Sequence, residues 1–244
     1  MDCLRKKKCM DMSMAPKLEN NSFDRFYDSS EESERFERKV VFSSGKKKLI
    51  ESRLKINGFR EIFYPRNVTS IYFDNHERDC LMDNINGNRY RNKVRLRYYD
   101  QDTSSCVLEI KMKRGLVGRK YTIPFPIKNK QFLLSNDASM QKIKRWILVN
   151  LNFYPEVSAI TKYSRSYFKK GSIRATVDSN LHSSIRSEYT DFHPQGRIFN
   201  DILEFKYKLD KEIYLMQQDI ERIFPNIAVR PMRVSKYVSA YLKR

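Results

Sequence analysis

Cations stand at alternate positions in several short runs of this chain. Residues 92–100 place Lys93, Arg95 and Arg97 on one parity and Val94, Leu96 and Tyr98 on the other. Residues 107–113 set Glu109, Lys111 and Lys113 against Leu108, Ile110 and Met112. Residues 118–125 add Arg119 and Lys120. Strand side chains alternate between the two faces, so each run has an apolar face and a charged one. One charged strand face can simply meet water. Here the pattern returns far along the chain. Arg174, Thr176 and Asp178 share a parity, and so do Glu204 and Lys206, opposite Leu203, Phe205 and Tyr207. Glu37 and Lys39 do the same, although Arg38 falls on the other side. If these strands share one curved sheet, their cations converge. Like charges about 8 Å apart repel by about 2 kcal/mol at an effective dielectric of about 20. Such a ring calls for a polyanion. Phosphate suits it: Arg grips phosphate oxygens with two donors and Lys supplies a point charge. Phosphoryl transfer needs positioning and charge neutralisation more than a covalent nucleophile.

The elements that must hold these groups follow in order. Residues 35–42 read as a strand. Ser43 and Ser44 are expected to cap a helix over 46–56, with Leu49, Ile50, Leu54 and Ile56 inward and Gly58 as its stop. A strand over 68–74, a polar turn at Asn75 and His76, and a loop over 84–92 precede the three basic runs. Ile143, Trp146, Ile147 and Leu151 recur at helical spacing and predict a helix over 137–151, with Trp146 in the core. Strands over 159–168 and 172–179 turn at Gly171, and an eighth strand runs over 201–209. Helices are expected over 210–223 and 233–242. The fold class is α+β, mainly β: an eight-stranded antiparallel closed tunnel or barrel with peripheral helices and a C-terminal closing helix. Residues 1–32 are polar, end on acidic residues, and read as a mobile tail; 33–244 form one domain.

Composition narrows the function. Lys and Arg number 48 against 29 Asp and Glu, a net charge of +19 over 244 residues, which demands an anionic partner. Apolar residues make up 40% and include 15 Phe and 15 Tyr, enough for a real core. Cys3, Cys9, Cys80 and Cys106 lack metal-type spacing and read as free thiols in a reducing compartment. No apolar run reaches about 18 residues, so no membrane span is expected. The start lacks a signal-peptide core, and the expected location is cytoplasmic. No phosphate-binding glycine loop, dinucleotide fingerprint or kinase motif is present. His76, His182 and His193 are scattered and read as surface residues. Nucleic-acid binders spread basic and aromatic residues over an open face. Here the cations keep strand parity and include carboxylates, so no nucleic-acid partner is expected.

An ordered set of short motifs resembles a known family. Glu37-x-Lys39, Tyr72-Phe-Asp74, Lys93-Val-Arg-Leu-Arg-Tyr98, Leu108-Glu-Ile-Lys111, Arg119-Lys120, Tyr163-Ser-Arg165, Arg174-x-x-x-Asp178, Leu203-Glu-Phe-Lys206 and Arg233-Val-Ser-Lys-Tyr237 look like the VTC domain. That is the catalytic domain of vacuolar transporter chaperone polyphosphate polymerases, in the triphosphate tunnel metalloenzyme superfamily. The resemblance covers roughly residues 33–244. It implies a tunnel enzyme that moves the γ-phosphate of ATP onto pyrophosphate or polyphosphate with Mn²⁺ or Mg²⁺. It implies phosphate contacts from Lys39, Arg95, Arg97, Lys111, Lys120, Arg165 and Arg174, and from Arg233 and Lys236 on the closing helix. It places Glu204 as metal ligand and Tyr163 beside the nucleotide. Glu37 and Glu109 are the next carboxylates for a hard divalent ion. Relatives often carry an Arg where residues 82–85 read Met-Asp-Asn-Ile, and some a basic residue at Ser172. The expected partners are ATP, pyrophosphate and polyphosphate, with docking to a membrane partner left open. A triphosphatase or polyphosphate hydrolase on the same scaffold, and a non-catalytic polyphosphate binder, are the alternatives.

Overall fold

The computed structural model describes residues 27–28, 35–114, 117–127, 138–185, 193–198, 200–208, 220–225 and 231–242. Eight long strands carry the architecture: β2 Arg35–Ser43, β3 Arg60–Asp74, β4 Tyr90–Tyr99, β5 Asp102–Arg114, β6 Val117–Pro124, β7 Glu156–Lys170, β8 Ile173–Ile185 and β10 Asn200–Lys208. Two short strands join them, β1 Tyr27–Asp28 beside β6 and β9 His193–Ile198 beside β8. Among the described residues, helices α1 Lys47–Ile56, α2 Asp79–Ile85, α3 Ala138–Leu151 and α4 Lys236–Tyr241 pack around the sheet. Residues 220–223 are also helical. The strand order is β1-β6-β5-β4-β3-β7-β8-β10-β2, antiparallel throughout. No helix among the described residues is long and apolar enough to cross a membrane.

The sheet does not close into the expected barrel. Among the described residues no backbone ladder joins β2 to the β5–β6 end. Closure requires a register that matches all the way round, and here an ion pair spans the inner face instead. Lys111 on β5 donates to Glu37 on β2 at 3.1 Å. The curved sheet thus keeps a seam between β2 and the β6–β1 edge, and Val40 of β2 bridges to Pro231.

Strand parity decides which face is oily. Val94, Leu96 and Tyr98 on β4, Leu108 and Ile110 on β5 and Ile123 on β6 are buried under Met140, Ile143 and Ile147 of α3. Trp146 packs against this cluster and meets Phe125 edge-on, as expected of a core residue. On the other half, Val40, Phe42, Val177, Leu203, Phe205 and Tyr207 are covered by Ile50 and Leu54 of α1 and by Ile220, Ile223 and Phe224. The helices therefore seal the outer face. The inner face keeps the charges, which must then satisfy one another.

Local signals account for the boundaries. Gly58 takes φ +84° beyond α1, where its amide donates to Lys55 and that of Phe59 to Leu54, the expected glycine stop. Ser43 lies in β2, and the N-cap is Lys46 with no side-chain cap bond, so the expected serine cap does not form. β3 begins at Arg60, ahead of the expected 68, because a register shift between Phe63 and Arg66 spans Pro65 and lets the strand tolerate it. α2 was not foreseen. Asp74, at the end of β3, accepts from the amides of Cys80 and Leu81, and Asn75 accepts from that of Asp79. α4 is shorter than the expected 233–242. The tail expected over 1–32 falls outside the described residues except Tyr27 and Asp28, and so does the helix expected over 210–223 up to residue 219.

Candidate active site

The inner face gathers its charges from seven of the long strands and from α4. Glu109 on β5 is the first centre. Its Oε2 accepts from Arg95 Nε at 2.6 Å and pairs with Arg97 at 3.3 Å, while its Oε1 meets Lys120 Nζ at 2.8 Å. Register explains the set: Arg95 lies directly opposite Glu109 across β4 and β5, and Lys120 lies one pair along on β6. Burial pushes the Glu109 carboxyl up, but Arg95, Arg97 and Lys120 outweigh it and hold it well below the usual carboxylate range. Both oxygens are engaged, so Glu109 is placed as a counter-ion in the wall.

Asp178 on β8 is the second centre. Arg165 on β7, its register partner, grips it with two donors at 2.6 and 2.8 Å. Lys236 from the first turn of α4 reaches its other side. Burial raises the Asp178 carboxyl, and Arg165 and Lys236 override it to about 2. Tyr163 lies between the two centres. Its hydroxyl accepts from Arg97 at 3.3 Å, and Lys236 and Arg165 stand 4.6 and 5.3 Å from its ring centroid. The ring is only 3% exposed, so it supports the two cations from within the wall.

The third centre straddles the seam. Glu204 on β10 pairs with Lys206 at 3.6 Å and with Lys39, its register partner on β2, at 3.9 Å. Glu37 pairs with Lys111 at 3.1 Å, Lys206 at 3.6 Å and Lys39 at 3.8 Å. Burial and the Glu204 charge push the Glu37 carboxyl up, yet Lys111, Lys206 and Lys39 bring it to about 2. Glu204 is held well below the usual range against its own burial, chiefly by Lys39 and Lys206. Lys39 also donates to the carbonyl of Val234 at 3.3 Å, which ties the approach to α4 to β2.

Two expected residues sit at the rim. Arg174 is exposed at the start of β8, opposite Lys206 in register and on the parity of Asp178. Arg233 is exposed ahead of α4, near enough for its charge to help lower the Lys113 ammonium. Three residues left out of the expected site belong to it. Asp178 and Lys206 were visible as parity mates of named residues. Lys93 faces the same side as Arg95 and Arg97, directly opposite Lys111.

Among the described residues no three His, Cys, Asp or Glu side chains cluster as a metal cage. The inner face instead offers Glu204 and Glu37, both ionised. The hydroxyl of Thr176, opposite Glu204 in register, is buried with no protein partner. Mg²⁺ keeps several waters and takes one or two carboxylates together with substrate phosphates. These residues fit an ion shared with a phosphate ligand.

α4 is held by its own network. The Tyr237 hydroxyl donates to Asp74, its ring stacks on Tyr72 at 4.8 Å, and Tyr72 in turn faces Arg95. Asp74 thereby fixes both α2 and α4.

Known proteins place this arrangement. The solved structures it resembles are distant in sequence. A candidate adenylate cyclase from Bacillus halodurans is 15% identical over 81% of this chain and 92% of its own, with a TM-score of 0.49. The PH1012 protein of Pyrococcus horikoshii is 14% identical over 84% and 99%, with a TM-score of 0.46. A candidate adenylate cyclase from Vibrio parahaemolyticus is 16% identical over 78% and 83%, with a TM-score of 0.43. No curated protein matches the chain in sequence. The family model described as the VTC domain matches residues 34–243, a stretch that holds all the strands and helices named above except β1. The chain therefore belongs to the VTC domain family.

Proposed function

We propose that this chain is a metal-dependent phosphotransferase that moves the γ-phosphate of ATP onto pyrophosphate or a growing polyphosphate. One observation carries the reading. Lys39, Lys93, Arg95, Arg97, Lys111, Lys120, Arg165, Lys206 and Lys236 converge on an inner face that holds four carboxylates, Glu37, Glu109, Asp178 and Glu204. Arg97, Lys236 and Arg165 are nearly buried, where water screens charge poorly. A phosphate chain is linear, densely anionic and thin enough to lie along such a face.

Roles follow from the geometry. Arg95, Arg97 and Arg165 have their guanidinium planes fixed by Glu109 and Asp178, so their free donors are pre-aimed at phosphate oxygens. Lys39, Lys111, Lys120, Lys206 and Lys236 reach from the seam and rim and can follow a chain as it shifts. Arg174 and Arg233 guide the polyanion from outside. Glu204, with Glu37 beside it, would hold Mn²⁺ or Mg²⁺; the ion supplies charge neutralisation at the transferred phosphate.

The test is an assay of the purified chain with ATP and Mn²⁺, with and without pyrophosphate primer, resolved on a gel stained for polyanions. Phosphate chains that lengthen with time are the expected result. Free phosphate without chain growth would make it a hydrolase on the same scaffold, and tight polyphosphate binding without turnover a binding module.

A further inference from the structure

Lys93, half-buried and with no acidic partner among the described residues, raises a sharper question. Lys93 stands in the middle of the inner face. Lys111 is directly across from it on β5, and Lys120 directly across from Lys111 on β6, so three lysines form one row. Lys39 reaches toward Lys93 over the seam from β2, and Arg91 and Arg95 flank it on β4. Among the described residues no carboxylate lies within ion-pair distance of Lys93. The nearby acids are all engaged elsewhere. Glu109 is taken by Arg95, Arg97 and Lys120, and Glu37 by Lys111, Lys39 and Lys206. On β3, Asp74 follows Phe73, whose partner is Val94, and it already accepts from Tyr237, Asn75, Cys80 and Leu81. Glu204 pairs with Lys39 and Lys206. On α2, Asp79 is bonded by Asn75 and Asp83 by Asn88.

We propose that Lys93 binds the phosphate chain directly and that each polyanion brings one proton into the site, taken up on the Lys93 amine. The proposal rests on the phosphate-binding reading above. A half-buried ammonium whose nearest charges are cations is disfavoured until an anion arrives; a phosphate oxygen beside it reverses the balance. The amine then gains a proton from solvent and becomes a charged donor to that oxygen. In the empty protein, burial and then the charges of Lys39, Lys111, Arg95 and Arg91 bring Lys93 down to about 7. Lys111 is lowered too, first by burial, but Glu37 holds a charge against it. That difference singles out Lys93 as the group that titrates.

The experiment is calorimetric titration of the full chain with tripolyphosphate at pH 8, in two buffers of different ionisation heat. The wild type is compared with Lys93→Arg, which keeps the charge at all pH values, and with Lys93→Met, which removes it. With Lys93 at about 7, the wild type takes up about 0.9 proton more per tripolyphosphate than either variant at pH 8. The difference shrinks to about 0.1 at pH 6, where the amine is already charged. Lys93→Arg retains binding within a few-fold, and Lys93→Met loses about ten-fold. Equal proton counts in all three proteins at pH 8 overturn the proposal and leave the phosphate site standing. So does an uptake that survives in Lys93→Arg and disappears in Lys111→Arg. A wild type that binds no tripolyphosphate overturns the site itself, and this proposal with it.

Discussion

The wall of the inner face and its seam solve the same electrostatic problem with different residues. In the wall, Glu109 and Asp178 meet arginines at 2.6–3.3 Å, and Arg97 and Arg165 are 7% and 13% exposed. Along the seam, Glu37 and Glu204 meet only lysines, at 3.1–3.9 Å, and Lys111 and Lys206 are 49% and 39% exposed. Forked, planar guanidiniums hold a fixed geometry, whereas a lysine is a mobile point charge on a long stem. The wall is therefore built to stay put and the seam to exchange partners. On the proposed reading, an incoming phosphate would compete with Glu37 for Lys111 more easily than with Glu109 for Arg95.

This contrast can be broken at its strong side first. Glu109→Gln removes the counter-charge from buried Arg97 and half-buried Arg95 and should cost about 3–5 kcal/mol. The thermal midpoint should fall by about 10 °C, and an unchanged midpoint would show that these cations are solvated. Next in size is Glu204→Gln at the seam. The fold should survive with a midpoint within a few degrees, while ATP-dependent chain growth falls by about 100-fold. An active variant removes Glu204 from the metal site. Lys111→Met should weaken tripolyphosphate binding by about ten-fold and change stability by less than about 1 kcal/mol, read by calorimetry and denaturant unfolding. A large loss of stability would place Lys111 in the wall.

Acid should distinguish the two regions as well. Asp178 and Glu37 both sit at about 2 in the folded chain, below their ordinary values of about 3.9 and 4.3. Their contribution is complete above about pH 5 and is lost as pH falls toward 2. Asp178→Asn should flatten that slope in unfolding measured between pH 3 and 7. Glu37→Gln should flatten it less, because Glu37 is partly exposed and water screens its pairs. Lys93 acts in the opposite direction. Lys93 is lowered in the folded chain, so the unfolded chain binds the extra proton between about pH 7 and 10, and stability rises with pH across that window. Lys93→Met should remove this rise; a rise that persists assigns it to another group.

Much of the site was legible because parity is local. The pleat alone puts Arg95 and Arg97 on the face opposite Val94 and Leu96, whatever else the chain does. The three basic runs became β4, β5 and β6, and the helical spacing around Ile143 became α3. Capping was less legible. α2 depends on a carboxylate from the preceding strand, and the serines expected to start α1 were absorbed into β2. Closure was not legible at all, since a run of alternating residues states its faces and not how far the sheet curls.

The sequence by itself fixes the charged face of each strand, the excess of cations on it, and the order of motifs that assigns the family. Only the tertiary structure decides which acid answers which cation. Glu37 and Lys111 are 74 residues apart and meet across an unpaired seam. Lys93 and Lys111 look alike in sequence, yet one has a carboxylate and the other faces only positive charge. Parity comes from covalent geometry between neighbours, whereas ion pairing comes from through-space distance, which falls off too steeply to be read from position along the chain.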